Sequence, residues 1–152
     1  FDPASHDYTG YTPATFPYRI RQAPSAANAL GRVKFMFPND HAIYLHDTPS
    51  KSLFARDRRA YSHGCVRVRD PLRLAELLLA PQEADASGFI RRVLASGRER
   101  YVTLRAHVPV HIDYRTAWID ADGRPQFRAD HYGRDAAVLS GLRAHGVDAP
   151  SI

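Results

Sequence analysis

One cysteine occurs in the chain, Cys65, inside the run Ser62-His63-Gly64-Cys65-Val66-Arg67, and a second histidine run, His46-Asp47-Thr48, lies upstream with residues 47 to 61 between His46 and Ser62. A cysteine attacks carbonyl carbon only as thiolate, and a nearby imidazole that takes the thiol proton supplies that form. Two histidines qualify. His63 is two residues from Cys65, so an extended backbone turns both side chains to one face. His46 ends a predicted strand and meets Cys65 if the intervening loop folds back. Gly64 allows a tight turn that can aim backbone N–H groups at a developing oxyanion. The group that orients the base is either the Asp47 carboxylate or a backbone carbonyl near it. The competing reading of Cys65 is a small buried hydrophobe. A lone cysteine excludes an intrachain disulfide and the multi-cysteine zinc and iron–sulfur patterns. His107 and His111 are four apart with Pro109 between them, so they read as ordinary strand or loop residues rather than a metal pair.

The elements that must position these residues follow from local pattern. Val33 to Phe37 alternates roughly and runs into the turn cluster Pro38-Asn39-Asp40, with a hairpin partner in Ala42 to Leu45. His46 to Ser62 reads as a long loop with at most a short helical turn. Asp70-Pro71 opens a helix that carries Leu74, Leu77 and Leu78 on one face and is closed by Pro81. A second helix is expected from Ser87, as N-cap, to Ser96, burying Ile90, Val93 and Leu94, with Gly97 in the left-handed C-terminal position. Strands are expected over Tyr101 to Leu104, within Val110 to Asp120 and over Gln126 to Arg128, the last two joined through Asp122-Gly123. A short helix from Asp135 to His145 ends at Gly146. Tyr114 and Trp118 share a face and read as core. The fold class is α+β, mainly β with helices inserted after the cysteine segment, as a sandwich or mixed sheet. Residues 1–30, rich in Pro, Ser, Thr and aromatics, read as an extended arm or lid, and residues 133–152 as a C-terminal helix and tail.

With 152 residues, 44% of them hydrophobic, the chain suits one globular domain. No run of apolar residues exceeds four, so no membrane-spanning helix is expected. The net charge of +5 is spread without a basic block and reads first as solvated surface, while still favouring an anionic partner such as nucleic acid, acidic polymer or lipid headgroup.

HDTPSKSLF and SHGCVRV together closely resemble the active-site signature of the YkuD-type L,D-transpeptidases, and LGRVKFMFPNDHAIYLHDTP is similar to the segment leading into the catalytic histidine of the larger periplasmic members, often fused to a peptidoglycan-binding domain. The likeness covers about residues 30 to 130 and marks residues 31–132 as the catalytic domain. It implies Cys65 as nucleophile, His46 as base and the Asp47 backbone carbonyl as orienting group, with His63 and Gly64 shaping the cysteine loop. Arg67 stands where the family carries a polar residue that supports the catalytic loop and substrate; Ser62, Tyr44, as pocket wall or core, and Arg32, as stem contact or solvated surface, are the other substrate-side candidates. Lys51, Arg56, Arg58 and Arg59 read as solvated surface or as contacts to an anionic stem peptide.

The resemblance further implies a transferase of cell-wall biogenesis and cell shape. It would act on peptidoglycan tetrapeptide stems as donor and acceptor, in the periplasm of a Gram-negative envelope, without metal, organic cofactor or nucleic acid, and with carbapenems as inhibitors. A hydrolase or carboxypeptidase cutting stems or peptidoglycan–protein links shares the nucleophile, and a non-catalytic peptidoglycan-binding module is the reading from another class. Asp47 departs from the Gly or Ser of many smaller members. The family's first strands are expected to be supplied by another chain segment or molecule, since a sheet without them exposes an edge.

Overall fold

In the computed structural model, which describes residues 4–62 and 64–147, the alternation read near residue 33 is visible directly: side chains from Gly31 to Phe37 alternate between half-buried and exposed. Within that run Lys34–Phe35 forms β1, pairing antiparallel with β2, Leu45–His46. The turn between them is stapled by Asn39. Its Oδ1 accepts the Ile43 N–H (2.9 Å) and its Nδ2 donates to the Ile43 carbonyl (2.8 Å). Ala42 sits in the same turn at φ 52°, a left-handed conformation that costs a residue with a Cβ roughly 1–2 kcal/mol.

The second neighbour of β2 is β3, Val66–Arg67, which pairs in parallel, giving the order β1-β2-β3 with β2 in the middle. The loop expected between β2 and β3 is present and contains a 3-10 turn over Lys51–Ala55.

Helix α1, Pro71–Leu79, begins as expected, with the Asp70 side chain accepting the Arg73 N–H and Pro at the first position. Its buried stripe is not the leucine face. Pro71, Ala75 and Leu79 are buried at spacings of four, while Leu77 is 56% exposed. Helix α2, Ala86–Ala95, is capped by Asp85 instead of Ser87: the Asp85 carboxylate accepts the Gly88 N–H at 2.8 Å, so the helix starts two residues before a Ser87 cap would place it. Gly97 takes φ +62° after it, the left-handed residue expected there. Ala75, Leu79 and Ile90 make the buried core, with Val33, Phe35, Leu72, Ala86, Phe89, Leu94 and Leu104 packed against it, so β1 rests on the helix pair.

The chain divides into two compact units. One takes Phe1–Lys51 and Cys65–Leu104 and contains β1, β2, β3, α1 and α2; the other takes Ser52–Gly64 and Arg105–Ile152. In the first, residues 4–30 carry neither helix nor strand, and their aromatics pack on one another: His6 lies edge-on to Tyr8 (4.8 Å) and Phe16 to Tyr18 (5.6 Å). The strand expected at Tyr101 to Leu104 does not form; its Thr103 carbonyl accepts from the Gln82 side chain (3.1 Å) instead of a neighbouring strand.

In the second unit, β4 (Ala117–Ile119) and β5 (Pro125–Phe127) form the expected hairpin. Gly123 stands at φ +78° and Asp120 Oδ1 accepts the Arg124 N–H at 2.9 Å. Trp118, half-buried, lies under the Arg128 guanidinium (4.8 Å), and Tyr114 packs on Tyr132 (4.8 Å). Helix α3, Asp135–Ala144, has no cap from the residue before it. Asp130 serves from further back, accepting the Asp135 N–H and the Tyr114 hydroxyl, both at 2.8 Å. The Asp135 N–H above all holds the Asp130 carboxyl down at about 2, against some burial.

The α+β class therefore stands, but the mainly-β balance and the sandwich do not hold among the described residues. No strand among them exceeds three residues, and the helices are the longest elements.

Candidate active site

β2 and β3 bring the two sequence runs together. Leu45 is set against Val66 and His46 against Arg67; the Val66 N–H donates to the Tyr44 carbonyl (3.0 Å) and the Val68 N–H to the His46 carbonyl (2.8 Å). Residues paired across a ladder share a face, and so do residues two apart along a strand. Continuing the register one residue back from Val66 sets Cys65 against Tyr44, on the face of Arg67 and His46. Burial agrees with that alternation, since Cys65 and Arg67 are half-buried and Val66 between them is exposed. The Cys65 thiol donates to the carbonyl of Ala42, the left-handed turn residue of the hairpin, at 3.8 Å.

His46 is 5% exposed and Asp47 2%. The His46 ring nitrogen Nδ1 meets the Asp47 backbone carbonyl. A carbonyl only accepts, so Nδ1 carries the hydrogen and Nε2 of the neutral ring keeps its lone pair. Of the two orienting groups open to the sequence, the backbone carbonyl is the one that touches the ring.

The Asp47 carboxylate is occupied elsewhere. Oδ1 accepts from Lys51 Nζ at 2.6 Å; Oδ2 accepts the Arg32 N–H at 2.9 Å, with Arg32 Nε 3.5 Å away. Burial pushes this carboxyl up, but the Lys51 ammonium together with the Arg32 and Thr48 N–H groups overcomes that and holds it below its ordinary value. Gly31, at φ +66°, lies against the same carboxylate; a Cβ there would overlap Asp47 Cβ, Cγ and Oδ2.

Of the other site residues expected from sequence, Arg32 reaches this cluster through its backbone and Arg67 through the ladder. Tyr44 offers its carbonyl to β3 and its ring to the Lys34 ammonium, 3.6 Å from the centroid. Ser62 and Gly64 belong to the other compact unit, both exposed, and His63 lies outside the described residues. Sequence reading passed over Gly31 and gave Lys51 to surface or substrate. The available signal was the opposite charge of Asp47 and Lys51 four residues apart. Among the described residues no group of three or more His, Cys, Asp or Glu could hold a metal.

A thiol just before β3 and a one-sided imidazole on β2 are groups of the kind that covalent acyl transfer uses. The chain belongs to the YkuD family of L,D-transpeptidase catalytic domains, whose profile matches residues 1–128. A Haemophilus influenzae protein bearing the name "Putative L,D-transpeptidase" is 44% identical over 138 residues, 90% of this chain and 27% of that protein. The chain thus spans about a quarter of the length of this curated relative.

Proposed function

We propose that this chain catalyses peptidoglycan L,D-transpeptidation with Cys65 as nucleophile and His46 as base. The observation that supports the reading is the β2–β3 register, which pairs His46 with Arg67, two residues after Cys65, together with the engagement of His46 Nδ1 by the Asp47 carbonyl. His46 Nε2 takes the Cys65 proton, and the thiolate attacks the carbonyl carbon of the third, L-centred residue of a tetrapeptide stem. The tetrahedral adduct collapses as the C–N bond to the terminal D-Ala breaks, and the D-Ala nitrogen takes the proton from His46. A thioester remains. An acceptor amine, the side-chain amine of another stem's diaminopimelate, gives its proton to His46 as it attacks, and the sulfur leaves and recovers that proton. The product is a 3→3 cross-link. Water in place of the amine gives the carboxypeptidase outcome. The reading includes the periplasm of a Gram-negative cell as its site of action, carbapenems as acylating inhibitors, and additional strands from another segment or molecule on the open edges of the β1-β2-β3 sheet.

Intact-mass spectrometry with purified muropeptides and with meropenem tests it. Wild-type protein gains the mass of the stem less D-Ala, or of the drug. Cys65→Ala gains neither, and His46→Ala acylates about 10²–10⁴-fold more slowly. A wild-type protein that acquires no adduct from either reagent overturns the proposal, and the mass of the released product separates amine from water as acceptor.

A further inference from the structure

We propose that Lys51 is a positioning residue for the Cys65–His46 pair, acting through Asp47; the inference rests on the acyl-transfer reading above and adds a residue to it. The Lys51 ammonium has three N–H donors. It donates to Asp47 Oδ1 (2.6 Å), to the Arg69 carbonyl (3.0 Å) and, at longer range, to the Val68 carbonyl (3.4 Å). Asp47 is the residue just past β2, and Val68 and Arg69 are the residues just past β3. One cation therefore ties the ends of the two strands whose pairing brings histidine and cysteine together.

Two features make this tie directional. Asp47 is fixed from the other side as well, its N–H donating to the Val33 carbonyl (2.8 Å) and its Oδ2 accepting the Arg32 N–H (2.9 Å). The residue whose carbonyl meets His46 Nδ1 is thus held from several sides, and among these contacts the Lys51 ammonium is the one that continues to β3. Slippage of β3 along β2 by one residue would turn Cys65 to the opposite face and pull Val68 and Arg69 off the ammonium. The Asp47 side chain is 3% exposed and that of Lys51 42%. The lysine closes a buried carboxylate from the solvent side, and its charge is neutralised there instead of being offered to a stem peptide.

The test compares single-turnover acylation by a tetrapeptide stem in wild type, Lys51→Met, Asp47→Asn and the double variant, with ¹⁵N spectra of the histidine rings. Lys51→Met is expected to lower the limiting acylation rate roughly 10- to 100-fold, the range typical when a group that orients a ligand from behind is lost. The half-saturating stem concentration should stay within about twofold. In the Asp47→Asn background the same change should add little, because the two act as one unit. The His46 Nδ1–H signature should weaken in both single variants and persist in Leu79→Ala, a core variant that loses stability without touching the cluster. A raised half-saturating concentration with an unchanged limiting rate would make Lys51 a substrate contact and overturn the proposal. Additive effects, or an unaltered Nδ1 signal, would overturn it too. If Lys51→Met does not fold, the ring signal of Asp47→Asn decides between the same two outcomes, weakened in support and unaltered against. Failure of wild type to acylate would defeat the function while leaving the ring signature readable, so the two failures are distinct.

Discussion

One ring nitrogen of His46 is committed. With Nδ1 donating to the Asp47 carbonyl, the ring cannot rotate to present either edge, and its lone pair is fixed at Nε2. The Asp47 side chain contributes separately, and its chemistry gives a pH dependence. Its carboxyl is held below the ordinary value near 3.9 that the unfolded chain would show. Between the folded and unfolded values the unfolded chain binds more protons. The stabilisation is therefore complete above about pH 4 and is lost as pH falls through the folded value. Thermal unfolding followed from pH 6 to pH 2 should show Asp47→Asn less stable than wild type near neutrality, with the gap closing below about pH 4. A constant gap would mean that the carboxylate's charge plays no part. Cys65 and His46 could be singled out as candidates from the sequence because only one thiol exists and its flanking residues are chemically distinctive. Lys51 was not, since a lysine in a charged loop looks like solvated surface until the loop's path is known.

The elements divide along the same line. Local chemistry announced the Asn39 turn, the Asp70-Pro71 start, the glycine after α2 and the Asp122-Gly123 hairpin, because each depends on residues within a few positions. The parallel pairing of β2 with β3 depends on chain returning from about twenty residues away, and no local pattern encodes that direction. Three leucines in α1 suggested a leucine face, yet the helix buries Pro71, Ala75 and Leu79, because the surface offered by α2 and β1 decides which stripe is covered. This gives a sharp contrast. Leu79→Ala should cost about 2–3 kcal/mol in urea unfolding, at the lower part of the usual range for a buried leucine. Leu77→Ala, on a side chain more than half exposed, should stay within about 0.5 kcal/mol. Equal losses at both positions would contradict the observed packing.

At the scale of the whole molecule, the net charge of +5 is the property most easily tested against the polymer it is proposed to meet. Attraction between a dispersed basic surface and an acidic wall polymer is screened over about 10 Å at 0.1 M salt. Sedimentation with purified sacculi should therefore weaken as salt rises, equally for wild type and Cys65→Ala, while only wild type forms the thioester. Binding without acylation in wild type would select the non-catalytic module; binding indifferent to salt would remove charge as the attraction. The parallel strand pair also bears on how this chain can change. His46 and Cys65 are registered by strands at the two ends of the connection, so their spacing in space does not depend on how many residues lie between. Doubling such a connection costs only about 0.6 kcal/mol in closure entropy. The stretch from 52 to 61 is accordingly where insertions and deletions can accumulate with the β2–β3 pairing left in place, a region of tolerated length beside strands that tolerate no shift of register.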